Sequence, residues 1–394
     1  MIINSGKNER TLGIYVHVPF CLSKCKYCGF YSQAEGDEKK TLSSTGDKAV
    51  AASPLTVEAY MKSLLEDIEE YSRVYEDCNF IVDTVFFGGG TPSILPYEFI
   101  GEIIAALRKG FTFVKGQPEI SIEANPKTLT ADKLKAYREY GINRLSIGVQ
   151  SFDNRMLEFL GRAHRAEDAA ETFKLAREQG FDNINLDLMF GLPNQTMNSW
   201  RDSLDKVLSL KPEHLSLYSL QLEEGTELFR MFENGEFAQL SDELDRDMYH
   251  YALERLNKEG YDHYEISNWA LRKDLRCRHN LKYWDLSEYL GLGPSAASYV
   301  NGVRFSEEPG FEYRENSLED NAAELAFTAL RTGEGIDRQL FCERIGVSFE
   351  DVFPDIMKRL EEHARCGRLE IDDRFIRLTE KGIDTSNQIM SLFV

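Results

Sequence analysis

Three cysteines lie close together near the start of the chain, in a C-x3-C-x2-C spacing formed by Cys21, Cys25 and Cys28. The thiolate, rather than the thiol, is the form of cysteine that binds metals. Lys24 and Lys26 lie between the cysteines, and their positive charge favours that form. Because a cubane cluster normally has four cysteine ligands, three cysteines predict a [4Fe–4S] cluster with one iron open to a substrate or cofactor.

Two other interpretations of this loop are weaker. A structural zinc site needs four ligands, and the nearest candidate, His17, precedes the loop by several residues on a predicted strand. Three thiols without a ligand in a polar loop would be prone to oxidation. The sequence therefore favours the iron–sulfur cluster.

Composition limits the class of protein. The 394 residues exceed one compact core and predict a large catalytic domain with a smaller one. A formal net charge of −20 argues against nucleic-acid binding. The seven cysteines do not form a disulfide framework, and no stretch approaches the ~20 apolar residues of a membrane span. We expect a cytoplasmic protein without a transmembrane segment, while peripheral membrane association and a homodimer stay open.

Alternating strand and helix patterns predict parallel βαβ units with right-handed crossovers. The predicted strands are 13–18, 81–87, 119–123, 144–150, 183–189 and 215–220. Six such strands followed by irregular sequence predict an α/β fold, an incomplete (β/α)6 barrel, and the absence of G-x-G-x-x-G disfavours a doubly wound sheet. The polar, aperiodic stretch at about 34–54 predicts a mobile insertion.

Chemically distinctive residues fall at or just beyond the ends of the predicted strands: Cys21, Gly88, Glu123, Gln150, Asp187 and Gln221. A lone Gln or Glu at a strand end is usually an ordinary loop residue. A chemically distinctive residue at the end of almost every strand is better explained by one shared site, because the strand ends of a barrel converge on one mouth. The Gly88–Thr91 segment is either a tight turn or bare backbone whose free N–H groups hold a carboxylate.

The cysteine loop resembles the signature loop of the radical S-adenosylmethionine (SAM) enzymes. In that superfamily the open iron binds the amino and carboxylate groups of the methionine of SAM, and an electron from the cluster cleaves the sulfonium to a 5′-deoxyadenosyl radical. Most of residues 13–225 resembles one branch, the oxygen-independent coproporphyrinogen III oxidases and their relatives.

This resemblance implies a set of SAM-binding residues: Tyr15, Tyr27, Gly89, Gly90, Thr91, Glu123, Gln150, Arg162 and Asp187. By similarity Glu123 would hold the methionine ammonium. Arg162 would hold the methionine carboxylate through its fork of donors. Gln150 and Asp187 would bind the ribose hydroxyls or a second cofactor.

Two features separate the chain from a coproporphyrinogen oxidase. The oxidases have a fourth cysteine two residues after the third, where this sequence has Phe30. They also have a long segment before the first strand, which here begins near Gly13. Residues 278–284 instead resemble the HNxxYW pattern of the HemW-type heme chaperones, as do Y-E-I-S-N-W-A at 264–270 and G-L-G-P at 291–294.

Residues 272–284 form a basic island in an acidic chain, with cations at Arg272, Lys273, Arg276, Arg278 and Lys282. Such cations would attract heme propionates. The HNxxYW resemblance predicts a heme-binding set of His279, Asn280, Tyr283 and Trp284, in which the aromatic rings stack on the porphyrin and His279 could ligate its iron. The alternative is a solvated basic loop with two core aromatics.

The last part of the chain changes character at about residue 312. Predicted helices at 318–330, 337–345 and 349–363 precede a hairpin at 368–378, an order that resembles a winged helix. Its recognition region is acidic, which argues against DNA binding and predicts a lid or docking module: Glu343, Glu350, Asp351 and Asp355. We therefore expect three parts: a radical SAM barrel at 1–225, a barrel extension at 226–311 and this domain at 312–394.

The favoured function is a radical SAM protein that carries a [4Fe–4S] cluster, SAM and heme, and that delivers heme to acceptor hemoproteins. The alternative is an oxygen-independent coproporphyrinogen III oxidase, which decarboxylates the propionates of a porphyrinogen through the 5′-deoxyadenosyl radical.

Overall fold

The computed structural model describes residues 10–34, 55–306 and 313–394. Apart from its first residue, the insertion predicted at 34–54 lies outside these described residues.

The described residues form strands and helices that we number in chain order. The strands are β1 (Arg10–Val18), β2 (Phe20–Cys21), β3 (Gln33–Ala34), β4 (Phe80–Gly89), β5 (Thr112–Phe113), β6 (Glu119–Ala124), β7 (Arg144–Gln150), β8 (Ile184–Phe190), β9 (His214–Ser219), β10 (Asp262–Glu265), β11 (Asn268–Ala270), β12 (Tyr289–Leu292), β13 (Ala297–Val300), β14 (Val303–Ser306), β15 (Arg314–Glu315), β16 (Ile336–Asp337), β17 (Leu369–Ile371) and β18 (Phe375–Leu378). The helices are α1 (Val57–Val74), α2 (Tyr97–Gly110), α3 (Ala131–Tyr140), α4 (Asn154–Phe159), α5 (Ala166–Glu178), α6 (Met197–Leu210), α7 (Glu227–Glu233), α8 (Asp242–Lys258), α9 (Arg278–Trp284), α10 (Leu318–Ala329), α11 (Arg338–Ile345), α12 (Phe349–Val352), α13 (Pro354–Arg365), α14 (Glu380–Ile383) and α15 (Ser386–Met390).

The main sheet has the strand order β10-β11-β9-β8-β7-β6-β4-β1-β12-β13-β14-β15. The six predicted strands pair in parallel and lie side by side in chain order, from β1 to β9. A doubly wound sheet would reverse its order at a switch point, so this arrangement is that of a barrel. Within the described residues the sheet stays open, which confirms the predicted partial barrel.

Periodicity explains why the helices cover the outside of this sheet. In α2 the buried residues are Ile100, Ile103, Ile104 and Leu107, which is the spacing of one helix face. Threonine side chains accept a backbone N–H at the starts of α1, α3 and α6 and so satisfy groups that no helical bond reaches.

Three parts of the fold differ from the sequence-based prediction. A seventh parallel strand, β12, pairs with β1 on its free side. The alternative interpretation of the HNxxYW residues as a solvated loop is wrong, because they form a helix, α9. The helix predicted at 349–363 is broken into α12 and α13, because Pro354 has no N–H for a helical bond and instead begins the second helix.

The C-terminal part has an apolar core separate from that of the main sheet strands, which includes Phe341, Phe349, Leu360 and Ile376 and extends to Tyr289 of β12. Its short strands form a separate sheet in the order β16-β18-β17. The predicted helical domain with a terminal hairpin is therefore present, while the boundaries near residues 225 and 312 stay predictions. No helix in the described ranges is long and apolar enough to cross a membrane.

Candidate functional site

The cysteine loop leaves the sheet at the end of β1 and is held at both ends by backbone bonds. The N–H groups of Gly90 and Thr91 donate to the carbonyls of Val18 (2.8 Å) and Phe20 (2.7 Å). A Cβ on Gly90 would lie 2.6 Å from the Phe20 oxygen, so only glycine fits there. At its far end the loop returns through β3, which pairs in parallel with β2.

Cations contact the cysteines differently from the prediction. Lys26 lies 3.7 Å from Glu227 and is paired with that carboxylate, whereas Lys24 donates to the Phe30 carbonyl at 2.7 Å. Burial raises the pKa of the Cys28 thiol, and the charge of Lys24 only partly opposes it. The charge of Lys24 thus acts in the expected direction, and the expected effect of Lys26 is corrected, because its ammonium is paired with Glu227.

Arg162 supplies a cation that the sequence did not place at the cluster loop. Its Nη1 donates to the Sγ of Cys25 at 3.3 Å. On the other side of the loop, the Thr91 hydroxyl donates to the Sγ of Cys21 at 3.7 Å. Donors to ligand sulfurs stabilise negative charge there and raise the potential of a bound cluster.

The donor set fits a [4Fe–4S] cluster better than a zinc ion. All three cysteines are free thiols. In the part of the chain that the structure describes, no three His, Cys, Asp or Glu side chains surround a single metal ion. Cubane ligands bind different irons and stand farther apart. Both ring nitrogens of His17 are engaged, by the Tyr15 hydroxyl at 3.1 Å and the Tyr31 carbonyl at 2.9 Å.

Glu123 lies at the centre of the residues predicted to bind SAM. Burial, together with the negative charge of Asp187, raises the pKa of Glu123 to about 8, against the effect of a backbone bond from Gly89. A Cβ on Gly88 would lie 3.0 Å from the Tyr15 ring and 3.2 Å from Glu123 Oε2. A carboxyl in this setting gains stability from a cationic ligand, because that ligand favours its ionised form.

The glycine segment is mainly a structural turn. Gly89 has φ +106°, and a Cβ there would lie within 2.8 Å of three atoms of the His17 ring. The N–H groups of Gly90 and Thr91 are used by the cysteine loop, and that of Gly89 bonds to Glu123. These three N–H groups therefore do not hold a ligand carboxylate, contrary to the second of the two sequence-based interpretations.

Arg162 brings the cysteine loop and the end of β7 together. Its Nη2 donates to the Gly148 carbonyl at 2.6 Å and to the Asn125 side chain. Its Nε is buried without a hydrogen-bond partner, so one donor of the guanidinium is left for a ligand. Gln150 has φ +64°, an uncommon value for a residue other than glycine, and its amide Nε2 would lie 3.0 Å from a Cβ on Gly148.

Asp187 and Tyr27 complete the site. The Asn185 amide donates to Asp187 Oδ1 at 2.7 Å, and the Ser146 hydroxyl donates to Oδ2 at 3.2 Å. Burial raises the pKa of Tyr27. The charge of Arg162 opposes this rise, and the charges of Cys25, Cys28 and Asp187 add to it. Tyr27 belongs to the cluster loop and packs against the apolar cluster of Met156, Leu160, Met189 and Leu192.

Two placements differ from the strand-end pattern. Asp187 lies in the middle of β8, three residues before its end. Gln221 is exposed beyond β9 and contributes nothing to this group. Tyr218, near the end of β9, pairs with Met189 of β8 across the sheet, and 40% of its surface is exposed.

Sequence reasoning also missed the polar floor of the barrel. Arg144 is buried at the start of β7, with its Nε unpartnered, and its charge acts on Glu123 and Asp187. His214 bonds the Asn185 Oδ1 and the Tyr264 hydroxyl, each at 2.7 Å. The only signal was the presence of polar residues inside otherwise apolar strands.

The predicted heme-binding residues lie on α9, at the opposite end of the strands from the cysteine loop. His279 is 1% exposed, and its Nδ1 and Nε2 bond the Thr84 hydroxyl (2.9 Å) and the Tyr283 hydroxyl (3.0 Å). Arg331 covers the Trp284 ring at 4.6 Å, and Asn280 is half-buried. This conformation leaves His279 no coordination position for iron, so heme ligation there stays a prediction that requires α9 to move.

The basic island is largely neutralised by carboxylates. Its ion pairs are Arg272 with Asp274 (2.9 Å), Arg276 with Asp262 (2.7 Å) and Lys282 with Asp83 (2.8 Å). Arg278 donates to the backbone carbonyl of Asp83 at 2.6 Å. The attraction of heme propionates to this segment stays a prediction, although three of its five cations already have carboxylate partners.

An open parallel sheet with a three-cysteine loop after its first strand defines a radical SAM protein. Residues 15–207 match the family model of the Radical SAM superfamily, and residues 316–384 match that of the HemN C-terminal domain.

Two relatives are similar over almost the whole chain. The heme chaperone HemW of Bacillus subtilis (strain 168) is 32% identical over 395 residues, covering 96% of this chain and 98% of that protein. The heme chaperone HemW of Escherichia coli (strain K12) is 31% identical over 401 residues, covering 97% and 98%. The chain therefore belongs to the HemW-type branch of the radical SAM superfamily.

A solved structure supports the fold. The coproporphyrinogen III oxidase (HemN) from Escherichia coli, described as a radical SAM enzyme, aligns with a TM-score of 0.79 at 24% identity, covering 98% of this chain and 90% of that one. At this identity the likeness concerns the fold alone.

Proposed function

We propose that the chain is a cytoplasmic heme chaperone that binds heme and delivers it to acceptor hemoproteins, using a [4Fe–4S] cluster and SAM. The observation that carries this proposal is similarity to heme chaperones over nearly the full length of both chains. The residue two positions after Cys28 adds support, because it is Phe30, with a side chain 69% exposed, rather than a fourth cysteine.

Cys21, Cys25 and Cys28 would hold the cluster, and the cluster with SAM would supply one-electron chemistry at the sulfonium. Glu123 would take the methionine amino group, because its half-buried carboxyl forms no ion pair with a cation in the part of the chain that the structure describes. Arg162 would orient the methionine carboxylate through its unpartnered Nε.

Other SAM contacts would come from residues that already border this group. Tyr15, Gly89, Gly90 and Thr91 would line the side next to Glu123, and Tyr27 would line the side next to Arg162. Gln150 and Asp187 would bind the ribose hydroxyls or a second cofactor. Asp187 suits a hydroxyl, since its carboxylate is already fixed by donors from Asn185 and Ser146.

Heme transfer separates this proposal from the alternative, oxygen-independent coproporphyrinogen III oxidation. The reconstituted protein would be titrated with heme under anaerobic conditions and then mixed with an apo-hemoprotein acceptor. We expect heme to bind, and we expect it to appear in the acceptor faster than heme dissociates spontaneously from the protein. Heme that neither binds nor moves would contradict the proposal.

A parallel assay would supply SAM, a low-potential reductant and coproporphyrinogen III. Formation of protoporphyrinogen IX over many turnovers would identify an oxidase instead. The matched control is Phe30→Cys, which restores the cysteine typical of the oxidases. We expect neither protein to decarboxylate the substrate, because one loop residue does not create a porphyrinogen-binding surface.

A further inference from the structure

The helix α9 fills the end of the barrel opposite the cysteine loop. Glu119, the first residue of β6, accepts the N–H groups of Arg278 (3.0 Å) and His279 (3.1 Å). A Cβ on Gly13 would lie 2.7 Å from Lys282 Cδ and 3.2 Å from His279 Cε1. The helix thus packs directly on the backbone of β1, where only a glycine leaves room for it.

Two neighbouring strands carry contacts to α9 and to the SAM site on the same face. β1 and β4 pair Gly13 with Thr84 and Tyr15 with Phe86. Alternate residues of a strand point to one face, so each pair forms one level of the barrel interior. The next level, at about 6.6 Å per two residues, pairs His17 with Gly88 and lies against the cysteine loop.

Aromatic rings connect these levels. The His279 ring lies 5.4 Å from Phe86, stacked at 27°, and 6.4 Å from Tyr15. Phe86 and Tyr15 are themselves stacked, with centroids 6.3 Å apart. Tyr15 then reaches His17 through its hydroxyl at 3.1 Å, and it borders Glu123 across Gly88.

We propose that His279 is a positioning residue for the SAM site, whose ring supports Phe86 and Tyr15 and thereby sets the place of Glu123. This role rests on the proposed SAM site and assigns the HNxxYW helix a structural purpose in place of iron ligation. The Thr84 and Tyr283 hydroxyls orient the imidazole from opposite sides. Its contact with Phe86 and Tyr15 requires a flat ring, and no atom of it has to bind a metal.

The test separates a ring from a ligand by comparing His279→Phe with His279→Ala. Phenylalanine keeps a flat ring against Phe86 and Tyr15 but cannot ligate iron, whereas alanine leaves a space. SAM affinity would be measured by calorimetry on anaerobically reconstituted protein, with iron content as a check on the cluster. We expect SAM to bind about tenfold more weakly to the alanine variant and within about twofold of wild type to the phenylalanine variant, at equal iron content.

Two results would overturn the positioning role. One is wild-type SAM affinity in His279→Ala. The other is SAM binding by His279→Phe that is as weak as in His279→Ala, because a flat ring would then not be sufficient. A loss of heme binding in His279→Phe with SAM affinity retained would keep the positioning role but overturn the statement that this helix does not ligate iron. If wild type itself binds no SAM, the proposed function fails and the positioning role with it. If wild type binds SAM and the alanine variant binds it equally well, only the positioning role fails.

A second variant covers the case in which His279→Ala does not fold. Phe86→Leu acts in the middle of the ring stack and leaves every hydrogen bond of α9 in place. It should also weaken SAM binding several-fold at equal iron content. An unchanged SAM affinity in Phe86→Leu would refute coupling through the rings.

Discussion

The burial of His279 predicts how the stability of the protein depends on pH. Burial, and then the charge of Lys282, lowers the pKa of His279 from 6.5 to about 3. On unfolding, the imidazole regains its ordinary pKa. Between these two values the unfolded chain therefore binds a proton that the folded chain does not bind, and stability is lost as the pH falls below 6.5.

The magnitude follows from this difference in pKa. Each pH unit within the window lowers the free energy of unfolding by at most about 1.4 kcal/mol. Integrated from pH 7 to pH 5, one such histidine contributes a loss of about 2 kcal/mol. His279→Phe removes the titrating group, so the difference between its free energy of unfolding and that of wild type should shrink by about 2 kcal/mol from pH 7 to pH 5.

Urea unfolding followed by tryptophan fluorescence, at pH 7, 6 and 5, measures this difference. The matched control is Tyr283→Phe, which removes the hydrogen bond to Nε2 but keeps the imidazole. The loss of free energy of unfolding in Tyr283→Phe, relative to wild type, should stay constant with pH. A loss in His279→Phe that also stayed constant would mean that the imidazole titrates freely, which would refute its enclosure and support an accessible heme ligand.

Three further predictions concern the cluster, SAM and the barrel floor. Reconstituted wild type should hold about four irons per chain, and Cys25→Ala should hold clearly fewer by iron analysis; equal loading would exclude this cysteine as a ligand. Asp187→Asn should weaken SAM binding about tenfold by calorimetry, through loss of one charged hydrogen bond, with an unchanged cluster spectrum; equal affinity would remove Asp187 from the site. Lys282→Met should lower the free energy of unfolding by about 3–5 kcal/mol, since it leaves the Asp83 carboxylate without its cation; a loss below about 1 kcal/mol in urea titrations would show that the pair is effectively solvated.

Local patterns were sufficient for the βα units and the cysteine loop. The predicted strand at 144–150 has the bounds of β7, and that at 119–123 differs from β6 by one residue. Strand alternation also separates the two faces of β1, because Leu12, Ile14 and Val16 join the apolar core while the residues between them face the barrel interior. These signals depend on residues near one another in sequence, which is why the sequence alone reveals them.

The missed features depend on partners far away in the chain. β12 has four residues and pairs with β1 across more than 250 positions, so tertiary context rather than local propensity decides its strand state. The sequence predicts that Lys282 is an exposed cation. In the structure its side chain is only 6% exposed and pairs with Asp83 on β4. The basic island therefore predicted an open surface, although much of it is neutralised within the fold.

The polar filling of the barrel floor needs a reason, because apolar side chains of similar volume are often at least as stabilising as a buried ion pair. The floor contains the Asp83–Lys282 pair, the Glu119 carboxylate on the N–H groups of α9, and the Arg144 guanidinium. The contacts of Lys282 with Asp83 on β4 and of the α9 N–H groups with Glu119 on β6 are satisfied in only one position of the helix along these strands. An apolar floor would tolerate sliding of α9, since apolar contacts have no directional requirement. A polar floor specifies one position of α9 along the strands. The His279 ring on that helix then contacts Phe86 and Tyr15 in one fixed arrangement. In this arrangement directional bonds at the closed end of the barrel fix the geometry at the end that would hold SAM.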